Sequence, residues 1–238
     1  MKPANTTSLV TETIAVEYFT DNNNIIIISM FLLMQVRNQL LGKGKIIVIE
    51  GADKAGKLTQ SRLLIDSLKL SGRICVVMDF PDYTTPIGIE IRAFLDGKRM
   101  YTNELKHMLL SANRWERKRE IESMIEKGTI VVMNRYYQSN LVYGVSNGLN
   151  INWLTNLERG LPKEDIVIVL DVSPTASSQR SEAGDLDSFE KNQKLLLEVN
   201  KNYRKLAKQF KWKIINGEKR KEQVHQEIMK IVKLLNVI

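Results

Sequence analysis

One cysteine, Cys75, occurs in 238 residues. A disulfide within the chain is therefore excluded, and nothing suggests an oxidising compartment. Histidine is almost as scarce, at His107 and His225, so the usual zinc ligand sets are out of reach. Apolar runs are short. The longest, Ile25 to Met34, is about half of the ~20 residues that a membrane-spanning helix needs. No basic residues precede it in Thr20-Asp21-Asn22-Asn23-Asn24, as they would in a signal peptide. These absences point to a cytoplasmic protein without a membrane partner.

Hydrophobic residues make up 43% of the chain, enough for one α/β domain with a sizeable core. The formal net charge is +8. A basic balance suits a nucleotide, a nucleic acid or a membrane surface, and lysine-rich solvated helix faces are the commoner explanation for it. Residues 1–43 differ from the rest, being polar and irregular before the Ile25 run. We read them as a poorly ordered or loosely docked extension. Met30 and Met34 leave open a start within it.

The organising stretch is Lys45-Ile-Ile-Val-Ile-Glu50, a run suited to a buried strand, followed by Gly51-Ala52-Asp53-Lys54-Ala55-Gly56-Lys57-Leu58-Thr59 and a helical pattern. Two glycines let the backbone curl inward, Lys57 adds a cation, and the positive end of a helix points at the same place. The phosphate-loop pattern G-x-x-x-x-G-K-[ST] is met everywhere except at Leu58.

From Lys45 onward strand and helix patterns alternate. Apolar runs at Ile46–Glu50, Ile74–Met78, Thr129–Met133, Ile166–Asp171 and Trp212–Ile215 predict five strands. Amphipathic spacing predicts helices over Lys57–Leu70, around Ile87–Leu95, and over Asn103–Arg117, Lys118–Lys127 and Lys221–Leu235. A short helix follows Ser173-Pro174, and a long one follows Asp187, where Asp187 and Glu190 resemble a capping box. Asn147-Gly148 marks a turn. Such alternation implies an α/β fold, a five-stranded parallel sheet with helices on both faces, and ligands at the carboxyl ends of the strands.

Three more segments close around this site: Asp79-Phe80-Pro81-Asp82, Ser111-Ala112-Asn113-Arg114-Trp115-Glu116 and Asn134-Arg135-Tyr136. With the phosphate loop, and with Leu161-Pro162-Lys163 and Phe189-Glu190, they resemble the thymidylate kinases, above all the eukaryotic and poxviral kind. The resemblance runs from about Lys45 to the C-terminus. It implies a P-loop nucleoside monophosphate kinase domain over 44–238, transfer of the γ-phosphoryl of ATP to dTMP, magnesium, and a homodimer with small-molecule nucleotides as partners and no nucleic acid. ATP would lie on Gly51 through Thr59, with Lys57 gripping the β- and γ-phosphates. Asp53 would bind the deoxyribose 3′-hydroxyl region, and Lys54 holds the place of a catalytic arginine. Phe80, Arg114, Arg135, Tyr143 and Phe189 would contact dTMP. Arg180 begins a polar segment, 180–188, that resembles the family's lid.

Five positions depart from the pattern. Leu58 stands for a hydroxyl residue that helps hold magnesium, leaving the metal ligand unknown. Tyr83 stands for an arginine at the acceptor phosphate, Leu110 for a stacking phenylalanine, Asn134 for an aspartate and Phe189 for a tyrosine. A catalytically weakened or silent nucleotide-binding homologue, or a kinase for another nucleotide or nucleoside acceptor, are the alternatives these departures raise.

Overall fold

The computed structural model describes residues 42–179 and 186–236, apart from the side chains at 178–193. The expectations for residues 1–41, for Arg180 and the lid segment, and for the Phe189 side chain lie outside the described residues.

Strands β1 (Ile46–Glu50), β2 (Cys75–Asp79), β3 (Ile130–Asn134), β4 (Ile166–Asp171) and β5 (Lys213–Asn216) form one sheet. They lie in the order β2-β3-β1-β4-β5, and every neighbouring pair is parallel. The helices are α1 (Lys57–Leu70), α2 (Pro86–Leu95), α3 (Asn103–Glu116), α4 (Lys118–Glu126), α5 (Tyr137–Ser146), α6 (Ile151–Leu157), α7 (Pro174–Gln179), α8 (Leu186–Phe210) and α9 (Lys221–Lys233). Side chains alternate between two cores, as the period of a strand requires. Ile46, Val48, Val131 and Val169 pack with Ile121, Leu141, Val199 and Leu206 on one face. Ile47, Ile49, Val132 and Ile168 pack with Leu64, Leu68, Val224 and Ile228 on the other. Burial on both faces explains why the strands read as unbroken apolar runs.

The expected strands are all present, and three are shifted by one residue. β2, β3 and β5 each begin later than the apolar run and continue through a polar residue, Asp79, Asn134 and Asn216. The ladder decides this. Asp79 pairs in register with Asn134, and Asp171 with Asn216, through backbone groups that are indifferent to side-chain polarity. The stretch after β3 resolves into α5 and α6, with a turn at Gly148 (φ 82°). β1 lies between β3 and β4, so the chain turns to opposite sides of it, and a crevice opens at its carboxyl end.

Behind that crevice, α3, α5 and α6 share a buried polar chain. His107 is fully buried and contacts Asn140 Oδ1 through Nδ1 (2.6 Å) and Asn147 Nδ2 through Nε2 (3.0 Å). A neutral ring protonated on Nδ1 satisfies both. Asn140 Nδ2 donates onward to Glu158 (2.7 Å). Burial lowers the His107 pKa from 6.5 to about 4. Between those values the unfolded chain takes a proton that the folded chain refuses, so stability falls as pH drops from 6.5 to 4. The expected loss across that window is roughly 3 kcal/mol. Urea denaturation of His107→Gln over pH 4–7 should show a flatter slope of stability against pH than the parent; an unchanged slope assigns the acid sensitivity to other groups.

Candidate active site

The loop after β1 is shaped by its glycines. Gly51 (φ 143°) and Gly56 (φ 95°) adopt backbone angles that side chains disfavour, and a Cβ on Gly51 would lie 2.6 Å from the Leu170 carbonyl oxygen. Lys54 is also left-handed at φ 61°, a strained conformation of the kind held at functional loops. Gly56 begins α1 with no side-chain cap, so the positive end of the helix faces the loop. Lys57 folds back across it, and its Nζ donates to the carbonyls of Gly51 (3.1 Å) and Ala52 (2.7 Å). Burial, then the nearby charge of Arg135, lowers its pKa from 10.5 to about 7.

The residue before the loop, Glu50, is fully buried. Its Oε1 accepts from the backbone N–H groups of Tyr136 (2.9 Å) and Ser139 (3.0 Å). Its Oε2 accepts from the hydroxyls of Ser139 (2.7 Å) and Tyr203 (2.8 Å). Burial raises the Tyr203 phenol well above its ordinary value, which keeps it a donor. One carboxylate thus ties β1 to the start of α5 and to α8.

That tie aims Arg135. The residue is left-handed (φ 66°), pairs with Asp53 of the phosphate loop, and donates to Ser139 Oγ (2.8 Å). Its guanidinium lies over the Tyr143 ring, 5.5 Å from the centroid, and burial pushes the Tyr143 phenol up to about 12. At the ends of β2 and β3, Asn134 Nδ2 donates to Asp79 Oδ1 (2.7 Å).

These groups surround a cleft of about 820 Å³. The phosphate loop from Asp53 to Thr59 forms one wall. Asp79, Phe80, Tyr83, Asn134 and Arg135 form another, and Lys219 and Lys221 flank the rim. Leu58 is half-exposed on this cleft and offers no oxygen. The carboxylates facing the cleft come from Asp53 and Asp79, and no three metal-binding side chains cluster among the described residues. Hard oxygens on one or two carboxylates, without a protein cage, are the donor set that magnesium takes beside nucleotide phosphates, so the residues fit that ion.

Arg114 is placed differently from the other site arginine. It is buried against Glu158, with Nε 3.1 Å from Oε2 and Nη2 bonded to Oε1, and it does not line the cleft. The rest of its motif holds the surroundings together. Asn113 binds both the N–H and the carbonyl of Asp82 (2.7 and 3.0 Å), fixing the segment after β2. Ser111 and Trp115, one helical turn apart, both donate to the Leu157 carbonyl (3.0 and 2.9 Å).

The chain matches the sequence profile of the thymidylate kinase family over residues 49–228. The chain belongs to the thymidylate kinase family. It is 34% identical over 202 residues to the thymidylate kinase of Schizosaccharomyces pombe, covering 82% of this chain and 94% of that one. The Plasmodium falciparum enzyme is 39% identical over 199 residues, covering 82% and 92%. A solved thymidylate kinase from Candida albicans superposes with a TM-score of 0.69 at 27% identity, over 82% of this chain and 93% of that structure.

Sequence reasoning gave no role to Glu50, Asp79, Ser139, Glu158 or Tyr203 in this family member. Glu50 left a signal as a charged residue closing an apolar run directly before the loop, and Asp79 opened one of the segments already set beside the site. Glu50→Gln would place an amide N–H against a donor, and should lower stability by roughly 1–3 kcal/mol in denaturant titrations. Unchanged stability would show that the four donors do not need an ionised acceptor. ATP phosphates near Lys57 should restore its ordinary pKa, so binding near pH 8 should take up a fraction of a proton. Calorimetry of ATP binding in buffers of different ionisation enthalpy reads this directly, and identical heats in all buffers would contradict it.

Proposed function

We propose that the protein transfers the γ-phosphoryl group of ATP to dTMP, giving dTDP and ADP for dTTP synthesis. The observation that carries this reading is one cleft that joins a phosphate loop and its lysine to a second cation, Arg135, 16% exposed and tethered to Asp53 of that same loop. Two phosphoryl groups then meet between two fixed cations, which is what in-line transfer requires.

In this reading Gly51, Ala52, Ala55, Gly56, Leu58 and Thr59 shape the cradle for the ATP phosphates, and Lys57 gives up its carbonyl partners to hold the β- and γ-oxygens. Asp53 orients the deoxyribose and steers Arg135, which binds the dTMP phosphate. Lys54 stabilises charge on the transferred group as a point cation. Phe80 and Tyr143 wall the acceptor pocket, and Arg114, buried against Glu158, keeps its expected role at the thymine edge. Arg180 and Phe189 keep their expected roles in the lid and acceptor pocket. Magnesium on the nucleotide phosphates would be steadied through water by the carboxylates of Asp53 and Asp79, and would neutralise charge there. The reading includes a homodimer and a cytoplasmic location, and no described helix is long and apolar enough to cross a membrane.

Purified protein with ATP, Mg²⁺ and dTMP should form ADP and dTDP in a coupled assay, faster than with other deoxynucleoside monophosphates or nucleosides. A better acceptor among these, or no turnover at high enzyme concentration, overturns the proposal. Leu58→Ser restores a hydroxyl to the loop. It should lower the Mg²⁺ concentration for half-maximal rate by roughly tenfold or more, the equivalent of one charge-assisted hydrogen bond; an unchanged requirement would show that this contact is dispensable here.

A further inference from the structure

The pair at the ends of β2 and β3 carries an inference that rests on the kinase reading and extends it. Asp79 and Asn134 face each other in register on adjacent strands, both lining the cleft. Asn134 Nδ2 donates to Asp79 Oδ1 at 2.7 Å. The same amide leaves its Oδ1 buried with no partner. A buried carbonyl oxygen without a donor costs about 1–3 kcal/mol, so the amide is turned this way for the sake of its other end. That other end fixes an exposed carboxylate at the rim of a phosphate-binding cleft.

We infer that Asp79 supplies the metal-directed carboxylate of this site, and that Asn134 is its positioning residue. The two side chains are interdependent. A carboxylate at 134 would stand within hydrogen-bond distance of the one at 79 and would repel it. The amide removes that repulsion and contributes a donor. The site therefore holds one negative charge at this pair, placed on β2 instead of β3. On this account Asn134 is not a damaged metal ligand. It is half of a relocated one.

The test compares ATP binding with and without metal, by calorimetry, in the parent, Asp79→Asn, Asn134→Asp and the doubly swapped variant. Metal-free ATP, in EDTA, is repelled by a carboxylate at the rim, whereas Mn²⁺-ATP is drawn to it. Asp79→Asn should thus weaken Mn²⁺-ATP binding by about tenfold, the usual cost of losing a partner beyond the direct ligands, and tighten metal-free ATP. A purely structural role for Asp79 would weaken both. Asn134→Asp alone should bind Mn²⁺-ATP no better than the parent, because the new carboxylate repels Asp79 and removes the donor that fixes it. The swap should return the ratio of the two affinities to within about threefold of the parent. The inference is overturned if Asp79→Asn shifts both affinities together, if Asn134→Asp alone tightens Mn²⁺-ATP, or if the swap does no better than Asp79→Asn. These titrations need no acceptor, so absence of dTMP turnover would strike the proposed function and leave this result standing.

Discussion

A single buried carboxylate holds the working parts of this molecule in register. Glu50 is fully enclosed, and its four donors come from the turn into α5, from α5 itself and from α8. An ionised group in that position is tolerable only because each oxygen receives two hydrogen bonds. Removing any donor would leave charge uncompensated. The constraint propagates outward. Gly51 follows Glu50 directly, Arg135 precedes Tyr136 directly, and α8 begins at Leu186, within the segment 180–188 expected to act as a lid. The phosphate loop, Arg135 on the wall of the cleft, and the helix behind both are referred to one point.

Much of the fold was readable because burial writes itself into composition. Ile46 to Ile49 and Ile166 to Leu170 are apolar throughout since both their faces are covered, and the helix after the first of them buries a stripe of Leu64, Ile65 and Leu68. The same signal fails where function begins. A strand identified by apolarity ends before Asp79 and before Asn134, yet the ladder carries both residues to the cleft through the backbone alone. Ser111 to Glu116 was legible as a family motif, and its recognition arginine was the residue singled out. The geometry shows that Ser111, Asn113 and Trp115 act as staples between α3, the segment after β2 and the end of α6. Contacts of that kind join residues distant in sequence and leave no period to detect. Glu158 was invisible for the same reason.

The departures from the family pattern differ in kind once they are placed. Leu58 is a plain loss, an apolar side chain on a polar cleft. Asn134 is tied to a partner whose charge makes sense of it. Tyr83 also lines the cleft, and the guanidinium of Arg92, on α2 and paired with Asp96, lies over its ring at 5.4 Å. Substitutions that look like independent damage in a linear sequence divide, in three dimensions, into those with a neighbour that answers them and those without.

The tethering of Arg135 to Asp53 has a consequence for selectivity. The cation that would receive an acceptor phosphate is already neutralised from within, and Lys57 likewise rests on carbonyl oxygens of its own loop. An incoming anion must therefore outcompete resident partners, and recognition becomes an exchange of pairs. Ions carrying a single negative charge gain little from that exchange against a carboxylate. A terminal phosphate monoester, with two charges and three oxygens, prevails in it. The internal pairs thus favour a doubly charged phosphate over chloride, carboxylates and phosphodiesters, before any shape of base or sugar is consulted.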